Sequence, residues 1–409
     1  MKIGVIGVGY VGLTTAICLA TMKHEISIFD INEEKIKQIY EKKLPFFEKG
    51  LQEMLENVIS SRNLIPAKNL NELVDNTEGC FICVGTPTKS NSIDLTQIIN
   101  AVKSLADSIK YNDKNDYKII IRSTIIPNTA RNTILPILSD KLYELKFGLS
   151  VVPEFLREGN ALDDFMNPDK IVIGGSDENS IIFVKKIFQN FKDKCEFIET
   201  SLESAELIKY TNNAFFSMLI SFSNEIANIS EKIPEVDSHE ILKALVSDKR
   251  ITSIINNERI VPSLESYLIP GCGFGGSCFP KDVQAILDYA NKNKIKTPLL
   301  KAILEINAER PNKMVILSES ILGTLKNKKV SILGLTFKPE TDDLRSSPAL
   351  DAIEILLEKG ANISTFDPIL KSKPDLVKLP KECKICFRIE DALRDSDVVM
   401  IFTKWSEFK

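Results

Sequence analysis

Only two histidines and one tryptophan occur among the 409 residues of this chain. Without histidine, a general base or a metal centre has few candidates. His24 falls in an expected turn and His239 at an expected helix start, away from every motif. No stretch approaches the roughly 18 apolar residues of a membrane-spanning helix, and the first residues read as a strand instead of a signal peptide. We therefore expect a cytoplasmic protein without a membrane partner.

Cysteine and net charge are also sparse. Eight scattered cysteines are too few for a disulfide framework, which is typical of a reducing compartment. The pairs Cys80/Cys83 and Cys383/Cys386 lie far apart, and the first reads as a buried strand, so we expect no metal site. The net charge of −4 comes from 52 basic and 56 acidic residues spread along the chain, which excludes a basic face for nucleic acid.

The amino-terminal segment carries a dinucleotide-binding fingerprint. An apolar strand at Lys2–Ile6 precedes the fingerprint, and an apolar helix is predicted from Leu13 to Met22. Glycines in this pattern allow a tight turn, close approach of a pyrophosphate and close helix packing, with the phosphates at the helix N-terminus. The fingerprint residues are Gly7, Val8, Gly9, Tyr10, Val11 and Gly12.

A second strand pattern bears on the choice between NAD and NADP. Glu25–Phe29 ends at Asp30, about 20 residues beyond the glycines, where an acid binds the ribose hydroxyls and repels a 2′-phosphate. This acid favours NAD. Lys35 is near enough in sequence to be a further cofactor contact and to leave NADP open.

Three further apolar strands, Cys80–Val84, Lys118–Ile121 and Gly148–Val152, continue the alternation. They predict an α/β fold with a doubly wound parallel sheet, which binds ligands at the carboxyl ends of its strands. Any one of these polar ends could be an ordinary strand cap, but three in register favour a ligand site. The polar residues at these ends are Thr86, Arg122, Ser123, Thr124, Glu154 and Glu158.

A long helix is predicted from Ser201 to about Ile233, and the region up to about Leu322 is predicted to be helical as well. A polar stripe on an otherwise apolar helix indicates a buried polar site. Lys209 is then a candidate to stabilise developing negative charge, unless its ammonium reaches solvent. The stripe consists of Glu206, Lys209, Asn213 and Ser217.

Four glycines in six residues, from Gly271 to Gly276, predict a loop that brings backbone close to a ligand. The loop leads to Cys278. A helix predicted from Asp282 would place this thiol just before a positive helix end and beside Lys281, both of which favour the thiolate. The sequence thus indicates a nucleophile; the alternative is a surface turn with an unrelated cysteine.

The strand pattern restarts near the C-terminus. Lys329–Leu335 resembles the first strand, and Asn362–Asp367 resembles Glu25–Asp30. The three-glycine turn is absent, so we expect a second Rossmann-like domain that binds a different phosphate ligand through Lys338 and Arg345. The predicted domains are an NAD-binding domain at 1–200, a central helical domain at 201–322 and a C-terminal Rossmann-like domain at 323–409.

A nicotinamide site combined with a nucleophilic thiol indicates oxidation of an aldehyde. A thiol adds to the aldehyde, the thiohemiacetal gives its hydride to NAD, and water hydrolyses the resulting thioester to an acid. Oxidation of a simple alcohol needs no such cysteine. Carboxylates, a lysine and a bound water must carry the protons, because both histidines lie elsewhere.

These motifs together resemble the UDP-glucose/GDP-mannose dehydrogenase family over essentially the whole chain. The resemblance rests on Gly-Phe-Gly-Gly-Ser-Cys at 273–278 and Glu-Leu-Ile-Lys-Tyr-x-x-Asn-Ala-Phe at 206–215. It implies an NAD domain, a helical domain that forms a homodimer, and a nucleotide-sugar domain. It also implies two successive oxidations of a sugar C6 alcohol to a carboxylate, with two NAD per turnover.

The resemblance implies a role for each matching residue. Cys278 would be the nucleophile, and Lys209 and Asn213 would hold the oxyanion. Water and proton transfer would fall to Thr124, Glu154 and Asp282. The implied cofactor contacts are Thr86, Thr124, Glu158, Lys281 and Arg345. The implied substrate pocket contains Glu154, Phe155, Leu156, Glu158, Lys209, Asn213, Tyr267, Gly273, Phe337 and Lys338.

Finer signals bear on the substrate. Arg122-Ser123-Thr124 and the motif that begins at Glu154 resemble the UDP-glucose branch more than the GDP-mannose or N-acetylhexosamine branches. Oxidation of UDP-glucose to UDP-glucuronate is therefore expected, and surface polysaccharide synthesis is the pathway that the resemblance suggests. The alternatives are another nucleotide sugar, a two-electron dehydrogenase of the hydroxyacid type, and a non-catalytic nucleotide-sugar-binding protein.

The chain departs from the family pattern in two places. An arginine that reaches the neighbouring subunit's substrate site has two candidates here, Arg250 by its context and Arg259 by its spacing to Gly271. The chain also stops just after the strand that begins at Val398, where relatives continue. We therefore expect a shortened C-terminal domain.

Overall fold

Residues 1–89 and 92–408 are described by a computed structural model. The chain divides into two units, Met1–Thr211 and Asn212–Lys409. The three-domain division at 1–200, 201–322 and 323–409 stays a prediction. Within the described residues, no helix combines the length and the apolar character that crossing a membrane requires.

The first unit is built on an eight-stranded sheet and also contains a separate pair of short antiparallel strands. The strands of this unit are β1 (Lys2–Ile6), β2 (Glu25–Phe29), β3 (Leu64–Pro66), β4 (Gly79–Ile82), β5 (Thr88–Lys89), β6 (Ser92–Ile93), β7 (Tyr117–Ile121), β8 (Phe147–Val151), β9 (Lys170–Gly175) and β10 (Glu196–Thr200). The strand order is β10-β9-β8-β7-β4-β1-β2-β3. Every neighbouring pair is parallel except β8 with β9, so one end of the predicted parallel sheet is reversed.

Helices connect these strands. They are α1 (Tyr10–Thr21), α2 (Glu33–Tyr40), α3 (Leu51–Ser60), α4 (Leu70–Asp75), α5 (Thr96–Tyr111), α6 (Leu135–Lys141), α7 (Ala161–Met166) and α8 (Glu178–Ile187), with a π-helical turn at Ala130–Ile134. The long helix α9 (Leu202–Ser230) follows β10 and contains the boundary between the two units, so its residues from Asn212 onward belong to the second unit. Phe81 packs in one buried cluster, whereas Cys80 and Ile82 pack in another. Because successive strand side chains point to opposite faces, each face of the sheet carries its own core.

The second unit combines helices with a four-stranded sheet. Its elements are α10 (Ser238–Val246), β11 (Ser253–Ile255), β12 (Glu258–Ile260), α11 (Phe279–Lys292), α12 (Pro298–Leu322), β13 (Lys329–Leu333), α13 (Pro348–Glu358), β14 (Asn362–Phe366), β15 (Cys383–Ile385), α14 (Ile389–Leu393) and β16 (Val398–Ile401). The helical region predicted up to about Leu322 ends with two separate helices, α11 and α12. Pro298 stands at the start of α12 and disfavours a helical conformation at Thr297.

The four-stranded sheet repeats the geometry of the first strands of the chain. Its order is β15-β14-β13-β16, and all its pairs are parallel. The N–H of Gly334 donates to the carbonyl of Phe366 at 2.9 Å, as the N–H of Gly7 does to Phe29 at 2.8 Å. Both glycines have a positive φ. The predicted second Rossmann-like element is therefore confirmed.

The acid after the second strand differs between the two elements. Asp367 is fully buried, and its Oδ2 accepts the N–H of Leu335 at 2.6 Å and the indole N–H of Trp405 at 3.3 Å. Asp30, by contrast, is only half-buried. Because Trp405 and the backbone already donate hydrogen bonds to the buried carboxylate of Asp367, this carboxylate is not accessible to ribose hydroxyls. This supports the prediction that the second element is not an NAD site.

Replacing Asp367 by Ala should destabilise the second unit by about 3 kcal/mol or more, because several buried donors lose their acceptor. Trp405 is the one tryptophan of the chain, so its fluorescence during urea unfolding reports on this site. The exposed Asp375→Ala is the matched control. Equal unfolding midpoints for the two variants would contradict the structural role given to Asp367.

Candidate functional site

The glycine fingerprint forms an open turn before α1. Gly7 has φ +91°, and a Cβ at Gly12 would clash with the carbonyl oxygen of Gly7, so both glycines serve the chain's own packing. A Cβ at Gly9 would meet nothing within 4 Å. Gly9 caps α1 without a side-chain hydrogen bond, which leaves space and helical N–H groups for a pyrophosphate. The residues present fit a dinucleotide.

Asp30 lies beside this turn. Its Oδ2 accepts the N–H of Val8 and its Oδ1 accepts the N–H of Asn32, both at 2.8 Å. Each carboxylate oxygen keeps a lone pair for a ribose hydroxyl. Lys35 lies in the first turn of α2 and is half-buried, with its N–H donated to Asn32 Oδ1 at 3.2 Å.

Glu48 is a residue of this region that the sequence did not reveal. It is buried, and it accepts the hydroxyl of Tyr10 at 2.5 Å and the N–H groups of Gly159 and Ala161 at 2.8 Å. Burial and the bond to Glu48 raise the pKa of Tyr10 far above its usual value. Glu48 thereby ties α1 to the loop that carries the half-buried Glu158.

Hydrogen bonds join the segments that follow β4 and β7. The hydroxyl of Thr86 donates to the carbonyl of Thr124 at 2.8 Å, and the hydroxyl of Ser123 donates to the carbonyl of Val84 at 2.7 Å. Thr124 is half-buried, and no described residue bonds to its hydroxyl. This hydroxyl is therefore available to a ligand or a water.

Arg122 lies behind these strand ends as a buried cation. Its Nε donates to Thr15 Oγ1 at 3.1 Å and its Nη1 to the carbonyl of Val152 at 3.4 Å. The guanidinium also lies about 6 Å from the rings of Phe81, Phe165 and Phe188. Burial lowers the pKa of Arg122, although nearby acidic groups oppose that effect.

Glu154 and Lys209 form a buried ion pair. Lys209 Nζ lies 3.0 Å from Glu154 Oε1, with only 4% and 5% of the two side chains exposed. Burial opposes ionisation of Glu154, but the charge and hydrogen bond of Lys209, helped by the N–H of Leu156 at 2.6 Å, lower its pKa. The ammonium of Lys209 is buried, so the alternative prediction, that it reaches solvent, is wrong.

The ring of Phe155 lies under two cations. Lys209 Nζ is 5.5 Å and Lys170 Nζ is 4.4 Å from its centroid. Both distances fall within the range of cation–π attraction. The strand-end motif therefore places an aromatic surface beside the buried ion pair, and the role of Phe155 in a substrate pocket stays a prediction.

Glu206, the first residue of the polar stripe, binds backbone N–H groups of a neighbouring segment. It is 2% exposed and accepts the N–H of Asn128 at 2.6 Å and of Ala130 at 2.7 Å. Burial raises the pKa of Glu206 to about 7, against the lowering effect of these two hydrogen bonds. It caps the helical turn at Ala130–Ile134, whereas Ser217 donates to the carbonyl of Asn213 at 2.8 Å.

Cys278 is the cap residue of α11, which begins at Phe279, one turn earlier than predicted. The positive end of the helix therefore lies at the thiol-bearing residue itself. Asp282 is 1% exposed and accepts Lys281 Nζ at 2.5 Å and Asn213 Nδ2 at 2.6 Å. Lys281 thus pairs with Asp282. Ser277 Oγ lies 3.5 Å from Cys278 Sγ.

The glycine loop packs on the segment after β13. A Cβ at Gly276 would lie 2.8 Å from the ring of Phe337, and the N–H of Gly276 donates to the carbonyl of Arg345 at 2.8 Å. The guanidinium of Arg345 is exposed and pairs with Asp343 at 2.8 Å. Lys338 Nζ lies 5.6 Å from the Phe337 centroid. The segment that carries the predicted pocket residues Phe337 and Lys338 therefore contacts the glycine loop.

The remaining predicted substrate residues of the second unit lie in different surroundings. Tyr267 packs on Phe216 with ring centroids 4.5 Å apart. Arg250 is bound by Asp248 at 2.8 Å with its side chain 85% exposed, and Arg259 donates to the carbonyl of Ser247 at 2.8 Å. Within the described chain, neither arginine bonds to the glycine loop, so the choice between them stays open.

The eight cysteines are all described and unbridged. Burial raises the pKa of seven of them, namely Cys18, Cys80, Cys83, Cys195, Cys272, Cys383 and Cys386. Among the described residues, no group of three or more acidic, cysteine or histidine side chains is arranged to hold a metal ion.

Family models match most of the chain. Residues 1–192 match the NAD binding domain of the UDP-glucose/GDP-mannose dehydrogenase family, residues 203–309 match its central domain, and residues 331–409 match its UDP binding domain. The resemblance read from the motifs and the prediction of NAD as cofactor are thereby confirmed.

Individual relatives match over the full length of this chain. A UDP-glucose 6-dehydrogenase of Rickettsia bellii is 37% identical over 100% of this chain and 90% of its own length. The solved UDP-glucose dehydrogenase of Pyrobaculum islandicum is 32% identical, with a TM-score of 0.92 over 100% of this chain and 90% of that one. The UDP-N-acetyl-mannosamine dehydrogenase of Staphylococcus aureus is 27% identical, with a TM-score of 0.79 over the same shares. The predicted fold class is confirmed.

Gly9→Ala should weaken NAD binding about tenfold or more while the fold survives, because the added methyl group enters space that only a ligand would use. Gly12→Ala should lower the thermal midpoint, because its methyl group meets the carbonyl of Gly7. Calorimetric titration with NAD and thermal unfolding separate the two effects. Wild-type NAD affinity in Gly9→Ala would contradict the assignment of the open space.

Glu206 should make stability depend on pH. Its pKa rises from 4.5 to about 7 on folding, so its contribution is complete below about pH 4.5 and is lost as the pH rises through about 7. Relative to Glu206→Gln, which does not titrate, the wild type should lose roughly 3 kcal/mol over this range.

Urea unfolding at about pH 5 and about pH 8 measures this difference. Glu203→Gln, three residues earlier in α9, is the control. The hydrogen bond to Arg131 lowers the pKa of Glu203, so its contribution changes only in more acidic solution. A pH-independent difference between wild type and Glu206→Gln would show that Glu206 is ionised throughout.

Proposed function

Since the chain belongs to the UDP-glucose/GDP-mannose dehydrogenase family, we propose that it oxidises the C6 alcohol of UDP-glucose to the carboxylate of UDP-glucuronate. The observation that carries the proposal is Cys278 at the N-terminus of α11, at the end of a glycine loop, in a chain with a dinucleotide turn. A two-electron alcohol dehydrogenase has no use for this thiol. The names of the relatives support UDP-glucose as the sugar nucleotide.

In the first oxidation, the C6 hydroxyl loses a proton as hydride leaves the carbon. NAD, when bound, accepts a hydride in each of the two oxidations. Lys209 and Asn213 would stabilise the charge on the C6 oxygen. Thr124, Glu154 and Asp282 would hold the water that exchanges protons with this oxygen. The low pKa of Glu154 suits a carboxylate that stays ionised while it orients such a water.

In the second oxidation, the Cys278 thiolate adds to the C6 aldehyde and forms a thiohemiacetal. Loss of hydride gives a thioester, and water cleaves the C–S bond to release the acid and the thiol. One alcohol and one water thus yield one carboxylate, with two hydrides transferred and the remaining hydrogens released as three protons. The helix N-terminus beneath Cys278 favours the thiolate and the oxyanion of each tetrahedral intermediate.

The remaining predicted contacts belong to the same proposal. Glu158, Lys281 and Arg345 would complete the cofactor site, together with Thr86, Thr124 and Lys35. The sugar nucleotide would be held by Phe155, Leu156, Tyr267, Gly273, Phe337 and Lys338. Arg250 or Arg259 would reach the partner subunit's substrate.

A homodimer is part of the proposal. Several large apolar side chains of α9 and α10 are exposed, which is unfavourable unless another surface covers them. These side chains are Phe215, Phe222, Ile229, Ile241 and Leu245. A second copy of the helical region is the proposed cover. A cytoplasmic location is proposed with it, since nucleotide sugars and NAD are made there.

The wild type should form two NADH per UDP-glucose consumed, measured by absorbance with product counting by chromatography. Cys278→Ser should lower the formation of acid by a factor on the order of 10³ or more, whereas Cys272→Ser, in the same loop, should keep most of the activity. UDP-N-acetylhexosamines and GDP-mannose are run in parallel. One NADH per sugar, or unchanged acid production by Cys278→Ser, would contradict the thioester route.

A further inference from the structure

The backbone of the glycine loop is held by side chains of two helices of the second unit. Asn307 of α12 accepts the N–H of Phe274 at 2.7 Å and donates to its carbonyl at 3.0 Å. Arg310 of α12 donates from Nε to the carbonyl of Gly271 at 2.8 Å, and Asn224 of α9 accepts the N–H of Gly271 at 2.8 Å. Two residues of the loop thus have both backbone groups bound by side chains.

Arg310 is an unusual anchor because it is a buried cation. Only 5% of it is exposed, and no carboxylate forms an ion pair with it in the described chain. Burial lowers its pKa. Its second hydrogen bond, from Nη1 to Asn228 Oδ1 at 2.8 Å, fixes the plane of the guanidinium. Such a group is costly to bury unless its hydrogen bonds are made.

The anchor at Asn307 explains one glycine of the loop. Gly273 has φ +96°, and a Cβ there would lie 2.5 Å from Asn307 Oδ1. Only glycine adopts this backbone easily and leaves room for the amide to reach Phe274. Asn307 and Arg310 are three residues apart on α12 and therefore share one face of the helix. Both face the loop.

We propose that Asn307 and Arg310 are positioning residues that hold the backbone of Gly271–Phe274 and thereby place Cys278. The inference rests on the proposed role of Cys278 as nucleophile.

Few residues separate the anchors from the thiol. Beyond Phe274, the N–H of Gly276 is fixed to the carbonyl of Arg345, and the carbonyl of Cys278 accepts the N–H of Asp282 at 2.8 Å. A loop with four glycines gains much conformational freedom once its anchors are lost. The thiol would then leave the attack geometry and its place at the helix N-terminus.

The test compares Asn307→Ala with Asn312→Ala, which changes an exposed asparagine of the same helix. Asn307→Asp is the conservative variant, since it still accepts the N–H of Phe274 but no longer donates to its carbonyl. Arg310→Lys keeps the charge but cannot bind Gly271 and Asn228 together. These two variants carry the test if Asn307→Ala does not fold.

Two readouts separate positioning from general damage. In Asn307→Ala, kcat for UDP-glucose should fall about tenfold or more with KM within about threefold, and Asn307→Asp should recover part of the loss. Alkylation of Cys278 by iodoacetamide, followed by mass spectrometry with fragment ions that separate Cys278 from Cys272, should slow about threefold or more at neutral pH. Asn312→Ala should match the wild type in both.

The alkylation experiment needs no substrate, so it judges the anchors even if UDP-glucose proves to be the wrong sugar. Unchanged or faster alkylation in both Asn307→Ala and Arg310→Lys would overturn the proposal. So would a wild-type kcat in a folded Asn307→Ala. An inactive wild type with slowed alkylation in the variants would leave the positioning role standing and refute the proposed substrate instead.

Discussion

The arrangement of the second unit around Cys278 depends on the hydrogen bonds that the buried carboxylate of Asp282 accepts. Asp282 lies in the first turn of α11 and accepts Lys281 at 2.5 Å and Asn213 of α9 at 2.6 Å. Because it is buried, a carboxylate without these donors would be costly to keep at this position. The same bonds fix where α11 starts relative to α9, and Cys278 is the residue at that start. Asn307 and Arg310 of α12 bind the backbone of the glycine loop. Three helices, α9, α11 and α12, therefore contribute to the position of the segment that carries Cys278.

The two Rossmann-like elements share a backbone and differ in what closes it. In the first, the acid after the second strand is half-buried beside an open glycine turn. In the second, the carboxylate of the equivalent acid, Asp367, already accepts hydrogen bonds from backbone N–H groups and from the indole N–H of Trp405. One fold thus serves as a dinucleotide site in one unit and as a support for a different nucleotide ligand in the other.

Short-range patterns were predictable, and long-range contacts were not. The fingerprint glycines, Asp30 and the polar stripe of α9 could be read because turn chemistry and helix period are local. Glu48 and the reversed β8–β9 pair could not, since each depends on segments that meet only in the fold. Asn307 and Arg310 did carry a local signal, polar residues three apart in a helix. The break before α12 was also signalled, by Pro298.

The placement of the cysteines has a consequence for oxidative stress. Burial keeps seven thiols protonated and poorly reactive, while Cys278 lies half-buried at a helix N-terminus. A peroxide would therefore modify Cys278 before any cysteine of the core. With Cys278 as the proposed nucleophile, catalysis would stop while the fold stayed intact, and a thiol reductant would restore it as long as the sulfur had not passed the sulfenic stage. Mild oxidation would thus remove the activity before it damaged the fold, and the loss of activity would be reversible.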